Sequence, residues 1–402
     1  SNGSGVSSAD NYYDDDNVCT GDTLCEWHKH ALLLVAGLSE SDLVYAQFEN
    51  RFSLVPYCIL LDHDHSLVVL SIRGSLSLED CVTDTLVQPQ PLDEVGEQYG
   101  FDARGEFCHA GVLATFENII EDLRRHGLLE QLLLEEYPNY ELRIVGHSLG
   151  AGVSALLSYV LKSKFPTLKV YGFAPPGCTL TWKLATECMP WTTSFVLDND
   201  IVPRLSVLAL EDLRDEVLEL IGRIKVPKYK VFETFVRGSD GRRGCWYGSD
   251  GAVSDFYYDD LEDLTHVIQG ILDESPRDTL YYRQVQEFLR VQHTRKESRG
   301  ETNSHRILFY PPGRMIHLLK TGEEGGCSHL LTKAITCCTS NSGFRYTPVY
   351  ISNDDLDEIV VNATMGTDHF IDRISDELHK VANEYTSQGG GSTDSRNGNE
   401  MV

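Results

Sequence analysis

Ile144-Val145-Gly146-His147-Ser148-Leu149-Gly150-Ala151-Gly152 is the stretch on which the reading of this chain turns. It has the form G-x-S-x-G. An apolar run of strand length, Leu142–Val145, leads into it, and an apolar run of helical length, Gly150–Ser163, leads out. Strand, tight turn and helix together put a serine on a strained backbone corner, and small residues at Gly146 and Gly150 leave room for that corner. The helix N-terminus behind Ser148 favours negative charge on a reacting oxygen. Without its flanks the pentapeptide is a common chance string, and the competing reading is a glycine-rich turn that packs a helix on a strand.

Outward from this corner, apolar runs of strand length alternate with helical periods. Strands are expected at Tyr57–Leu61, Leu67–Ile72, Leu142–Val145, Lys169–Phe173, Ser194–Leu197, Arg306–Phe309, Met315–Leu319 and Glu358–Val361. Helices are expected at Gly111–Glu136, Gly150–Ser163 and after His369; the first carries Val112, Phe116, Ile119, Ile120 and Leu123 at helical spacing. Such alternation predicts an α/β fold, a mostly parallel central sheet covered by helices on both faces.

Residues 207–305 break the rhythm. They open with an amphipathic run (Leu210, Leu213, Val217, Leu220, Ile221, Ile224), turn polar around Arg237-Gly238-Ser239-Asp240-Gly241, and show two further helical patterns near 259–272 and 280–292. A block this long is not a plain loop. It reads as an inserted cap or regulatory segment, against the alternative of an inert surface insertion. Residues 1–20, with Tyr12-Tyr13-Asp14-Asp15-Asp16, read as a disordered acidic leader, and 387–402 as a Gly/Ser/Asn-rich tail, which leaves 21–386 as one domain.

The 402 residues carry a net charge of −27, a surface that repels nucleic acid and gains nothing from anionic lipid, so nucleic-acid partners are excluded. No run approaches the ~20 apolar residues of a membrane-spanning helix, the longest being Ala31–Leu38, and the polar start has no signal-peptide pattern. The first residue is Ser1, so a preceding membrane segment stays open. The 11 cysteines are scattered and lack metal-ligand spacing; they read mostly as free thiols, with a Cys19–Cys25 disulfide left open. The sequence has no P-loop, dinucleotide fingerprint, HExxH or CxxC pair. Asp259-Asp260 and Asp14–Asp16 lack the alternating ligands of a calcium loop and read as solvated charge. No cofactor or metal is expected, and calcium has no support in the sequence.

A serine hydroxyl is a weak nucleophile and needs a base, itself oriented by a carboxylate. With the serine on such a corner, chain order runs serine, acid, base. The acid belongs at the end of a later strand, where Asp198-Asn199-Asp200-Ile201-Val202-Pro203-Arg204 follows Ser194–Leu197. Asp200 falls in the turn beyond the strand and is preferred; Asp198 is the alternative. Among 14 histidines, His369 follows a strand-like run and precedes a helical pattern, whereas His379 reads as a surface residue and His317 as a packed one. Donors for an oxyanion are expected from the Leu149 N–H and from Ser75, where Leu67–Ile72 leads into Arg73-Gly74-Ser75. Arg73, Gly74 and His147 are candidate substrate contacts. The competing reading of 73–75 is a polar turn. His109-Ala110-Gly111 reads as a helix start, and Pro175-Pro176-Gly177 and Pro311-Pro312-Gly313 as rigid turns.

Taken together, Arg73-Gly74-Ser75, His109-x-Gly111, Gly146-His147-Ser148-Leu149-Gly150, Asn199–Arg204 and Asp368-His369 resemble the class 3 (fungal-type) lipases of the α/β-hydrolase fold. Ile72–Asp80, Arg204-Leu205-Ser206-Val207, Leu210–Leu213, Pro227-Lys228-Tyr229-Lys230 and Tyr310–His317 narrow the resemblance to the sn-1-specific diacylglycerol lipases. It covers roughly residues 40–380. The resemblance implies hydrolysis of the sn-1 ester of diacylglycerol to a 2-monoacylglycerol and a fatty acid, with Ser148 as nucleophile, Asp200 as orienting acid and His369 as base. It also implies a regulatory role for the insert, a glycerolipid partner and association with a membrane or lipid interface. A broader esterase, phospholipase A1 or triacylglycerol lipase, and a non-catalytic lipase-like interaction protein, are the rival readings. Acyl-chain preference and oligomeric state stay open.

Overall fold

The computed structural model describes residues 19–20, 27–51, 54–74, 89–222, 307–321, 345–362 and 364–389. Its strands are β1 (Cys19–Thr20), β2 (Leu43–Gln47), β3 (Tyr57–Asp62), β4 (Leu67–Ile72), β5 (Pro89–Pro91), β6 (Phe107–His109), β7 (Glu141–His147), β8 (Lys169–Phe173), β9 (Thr192–Leu197), β10 (Arg314–Thr321) and β11 (Arg345–Ile351). Its main helices are α1 (Trp27–Ala36), α2 (Asp93–Tyr99), α3 (Ala110–His126), α4 (Leu149–Leu161), α5 (Trp182–Glu187), α6 (Val207–Gly222) and α7 (Ile371–Gly389).

Among the described residues one sheet runs in the order β1-β2-β3-β4-β7-β8-β9-β10-β11, and β5-β6 form a separate ribbon. The stretch β4-β7-β8-β9-β10 is parallel throughout, while β2, β3 and β11 are antiparallel to their inner neighbours. This is the α/β-hydrolase arrangement, a mostly parallel sheet with helices on its faces.

The centre of the sheet buries one set of alternating residues against the helices. In β7 every second residue is buried, Leu142, Ile144 and Gly146. α4 has no charged residue and is buried along nearly its whole length, from Gly150 to Leu161. α3 presents Val112, Phe116, Ile119, Ile120 and Leu123 to the same core. Its start is capped by His109, whose Nδ1 accepts the Gly111 amide at 3.1 Å. The single helix expected over Gly111–Glu136 is broken at Gly127, which takes φ 66° and closes α3; a short helical turn and a π-helical segment, Gln131–Glu136, follow.

Three adjacent parallel strands leave the sheet through left-handed, non-glycine residues. Ser148 (φ 54°), Ala174 (φ 51°) and Asp198 (φ 38°) follow β7, β8 and β9. Each keeps one more ladder bond to the neighbouring strand: Ser148 N–H to Phe173 O (2.9 Å), Ala174 N–H to Phe195 O (2.8 Å) and Asp198 N–H to Leu318 O (2.9 Å). The chain therefore turns sharply with its ladder intact, and the strand ends gather on one rim.

Two expected strands are not strands. Residues 307–309 are irregular and Tyr310 makes only an isolated bridge to Leu180, because Pro311 and Pro312 have no N–H with which to extend a ladder. Glu358–Val361 is irregular as well: Ile359 packs with Val202, Leu205 and Ala209, and the Glu358 carbonyl accepts from Arg204. Among the described residues the last strand is instead β11, whose Pro348 is tolerated because the strand lies at the end of the described sheet. The short β2 was also not anticipated. Cys19 and Thr20, expected in the leader, pair with Ala46 and Gln47. The amphipathic run that opens the insert forms α6, with Leu210 and Leu213 against the cluster around Val202. The rest of the expected insert, residues 1–18 of the leader, the tail beyond 389, Asp259-Asp260, Cys25 and Ser75 lie outside the described residues.

Candidate active site

Ser148, His369 and Asp200 meet at the rim where the strands end. His369 Nε2 lies 3.0 Å from Ser148 Oγ, and His369 Nδ1 lies 3.1 Å from both carboxylate oxygens of Asp200. Ser148 and Asp200 are fully buried and His369 is 6% exposed. A carboxylate can only accept, so the proton sits on Nδ1 and Nε2 faces the hydroxyl with its lone pair. That is the tautomer needed to take a proton from Ser148.

The corner is made by packing as much as by sequence. Ser148 is the N-cap of α4 with φ 54° and ψ −126°, outside the helical region, and the Leu149 amide that follows is the first of the helix, without an intrahelical acceptor. A Cβ on Gly146 would lie 2.3 Å from the Gly150 carbonyl oxygen. From the other side Gly74 closes in: a Cβ there would lie 2.5 Å from the His147 carbonyl oxygen and 2.7 Å from Ser148 Cβ. The backbone after β4 therefore comes into direct contact with the serine, where a second oxyanion donor would stand. Ser75 itself lies outside the described residues.

Asp200 is oriented by its own turn, its Oδ1 accepting the Val202 amide at 3.0 Å. Asp198, the other candidate, points elsewhere: its carboxylate accepts from the Asn199 side chain at 2.7 Å and the Lys320 amide at 3.3 Å. Its carbonyl accepts from His317 Nε2 at 2.6 Å, so His317 is a packed histidine, and burial lowers its pKa. His379 sits exposed on α7.

The remaining named residues divide. Gly74 is buried against the serine, but the Arg73 side chain is exposed and its amide donates to Pro56 O at 2.9 Å. The His147 ring is directed at the base loop, with Nε2–H donating to the His369 carbonyl at 2.8 Å. Burial, and next the nearby His369, lower its pKa to about 4. Three features of the rim were not anticipated. Arg204 is buried beside the acid turn, Nη1 donating to Glu358 O at 3.2 Å and Nη2 to Asp198 O at 3.4 Å; burial weakens its hold on the proton, while Asp200 and Asp198 strengthen it. Asp368 is buried with its carboxylate accepting from Arg373 Nη1 and Thr364 Oγ1, at 2.6 and 2.7 Å, and desolvation raises its pKa. Finally, the Ile201 amide donates to Met365 O. All three link segments more than a hundred residues apart or sit inside the base loop, and no spacing in the sequence marks them.

Burial raises the thiols of Cys58, Cys108 and Cys188 to about 12, so none is a thiolate nucleophile near neutral pH. Among the described residues no cluster of His, Cys, Asp and Glu is placed to hold a metal ion, and no helix is long and apolar enough to cross a membrane.

Comparisons with known proteins found relatives among the lipases. Residues 69–209 match the family model described as Lipase (class 3), a segment that contains the serine corner and the acid turn. The chain is 30% identical to diacylglycerol lipase-beta of Mus musculus over 362 residues, covering 90% of this chain and 49% of that protein. It is 25% identical to diacylglycerol lipase-alpha of Homo sapiens over 376 residues, covering 92% and 31%. It is 34% identical to secreted mono- and diacylglycerol lipase A of Penicillium cyclopium over 158 residues, 38% of this chain and 47% of that one. The chain thus spans about half or less of the curated relatives it matches. Among solved structures, a fungal lipase matches at 29% identity with a TM-score of 0.36, covering 42% of this chain and 59% of that one.

Proposed function

We propose that this member of the class 3 lipase family is a serine hydrolase of acylglycerols, with diacylglycerol as substrate and its sn-1 ester as the bond cleaved. The observation that carries the reading is the buried chain Asp200–His369–Ser148, at 3.1 and 3.0 Å, with the serine at φ 54° ahead of α4. Similarity to two diacylglycerol lipases over about nine-tenths of the chain supports the substrate class.

In this mechanism His369 Nε2 takes the Ser148 proton as Oγ attacks the ester carbonyl. The carbonyl oxygen gains negative charge and is met by the Leu149 N–H, the positive end of α4 and a second donor from the segment beginning at Ser75. Asp200 stabilises the imidazolium that forms and does not itself take the proton. The tetrahedral species collapses, His369 protonates the departing glyceride oxygen, and an acyl-Ser148 ester remains. Water, deprotonated by His369, then releases the fatty acid. No step draws on a cofactor. The glycerolipid and the lipid interface that presents it are the partners of this reaction. The insert beginning at α6 is the regulatory segment.

The experiment is product analysis on a diacylglycerol whose sn-1 and sn-2 chains differ, for the wild type and Ser148→Ala. Release of the sn-1 acid by the wild type alone is the expected result. Equal release by both proteins removes Ser148 from the chemistry. A second reading, broader acylglycerol hydrolysis, has the 34% identity to secreted mono- and diacylglycerol lipase A in its favour. Comparable turnover of mono-, di- and triacylglycerol in the same assay would select it.

A further inference from the structure

Ser148 and His369 come from segments 221 residues apart, and one side chain spans both. His147 ends β7 and is covalently joined to Ser148. Its Nε2 lies 2.8 Å from the His369 carbonyl oxygen, and the two imidazoles lie against each other with centroids 4.7 Å apart, tilted by 40°. A carbonyl only accepts, so Nε2 carries the proton. The backbone of His147 is pinned as well, since Gly74 approaches its carbonyl too closely to admit a Cβ. The donor is thus fixed to the serine corner on one side and aimed at the backbone of the base on the other.

We propose that His147 is a positioning residue for the base: its Nε2–H bond to the His369 carbonyl sets the distance between His369 Nε2 and Ser148 Oγ. The inference rests on the acyl-transfer reading above. His369 gains a proton in each half-reaction, and two imidazolium rings at 4.7 Å would repel. His147 therefore works as the neutral imidazole, a state that its burial favours. His369 is held at two points: its ring by Asp200 at Nδ1, and its backbone by His147.

The test uses the full chain with His147→Phe, which keeps an aromatic face and removes the donor, and His147→Gln, which returns an N–H near the same place. The readouts are kcat and KM on a soluble p-nitrophenyl ester, the rate of Ser148 labelling by a fluorophosphonate, and the pH profile of kcat/KM. The Phe variant is expected to lose about 10–100-fold in kcat and in labelling rate with KM nearly unchanged, the effect of a base displaced by a fraction of an ångström. The Gln variant should recover most of that loss. The acid limb of the profile should report one proton in the wild type and in the Gln variant. Should the Phe variant fail to fold, His147→Leu takes its place. Wild-type kcat in the donor-less variant, or equal losses in the Phe and Gln variants, would overturn the proposal. So would a two-proton acid limb that becomes a one-proton limb in the Gln variant. A wild type that is not labelled at Ser148 overturns the acyl-transfer reading and this one with it.

Discussion

The amide of Ile201 donates to the carbonyl of Met365 at 3.1 Å, and that bond ties the turn carrying Asp200 to the turn carrying His369. The acid turn is closed by Asp200 Oδ1 on the Val202 amide, and the base turn by the Asp368 amide on Thr364 O at 2.8 Å. Asp200 and His369 are thus brought together by the main chain. The carboxylate–imidazole contact uses a separation that the backbone has already set, so side-chain changes at the two residues should affect chemistry far more than folding.

Asp200→Asn tests that directly. An amide cannot balance the imidazolium, and its NH2 competes for the wrong tautomer of His369. We expect a loss of about 10⁴-fold in kcat/KM on an ester substrate, the scale seen when a buried triad aspartate becomes asparagine. Asp198→Asn should cost less than about tenfold, because asparagine tolerates the left-handed backbone that position requires (φ 38°). Steady-state rates for the two variants side by side decide which aspartate serves the histidine; a larger loss at Asp198 would reverse the assignment.

The candidate site was legible where its signals are local. G-x-S-x-G between an apolar strand and an uncharged helix fixes the serine corner, and Asp200 and His369 each fall just beyond a run that reads as a strand. The structure places His369 beside Ser148 although the run before it, Glu358–Val361, is not a strand; Ile359 is apolar because it packs under the turn that carries Asp200. The same ambiguity misplaced a strand at 306–309. β11, with Arg345, Thr347 and Pro348, is an edge strand whose partly exposed residues carry too little apolar signal to be read. What could not be read are contacts between distant segments, such as Arg204 with Glu358, His147 with His369 and Ile201 with Met365. No periodicity encodes a contact that depends on how two loops meet.

Gly74→Ala should damage the site from the outside. The added methyl would meet the His147 carbonyl oxygen at 2.5 Å and Ser148 Cβ at 2.7 Å, both fixed by the corner, so the backbone after β4 must retreat. Such overpacking costs about 1–3 kcal/mol, and withdrawing an oxyanion donor costs a comparable amount in the transition state. We expect a lowered thermal midpoint together with at least a tenfold fall in kcat. A fall in the midpoint with kcat preserved would place the donor elsewhere.

Stability should fall on mild acidification. The folded pKa of His147 is about 4, below the unfolded value near 6.5. Between those values the unfolded chain binds a proton that the folded chain refuses, so the contribution is present above pH 6.5 and is lost as pH falls towards 4. His317, also lowered by burial, acts in the same direction, and Asp368, raised by desolvation, acts against both. The thermal midpoint should therefore drop across that window by differential scanning fluorimetry. His147→Gln should flatten the slope without abolishing it, since His317 remains; an unchanged slope would mean that His147 does not titrate differently on folding.

Phe116→Ala separates the scaffold from the site. Phe116 is fully buried on α3 in the main core, edge-on to Tyr99 at 5.7 Å. Truncating a buried phenylalanine removes both its transfer energy and its packing contacts, about 3–5 kcal/mol together. Unfolding by urea should show that loss at an unchanged m-value. Ser148 sits on a corner fixed by Gly74 and the ladder bond to Phe173, so the rate of its fluorophosphonate labelling, well below the variant's melting point, should stay within about threefold of wild type, as for sites with no shared partners. A large fall in labelling without unfolding would mean that α3 helps set the corner through α4, and that the rim is less self-contained than its hydrogen bonds indicate.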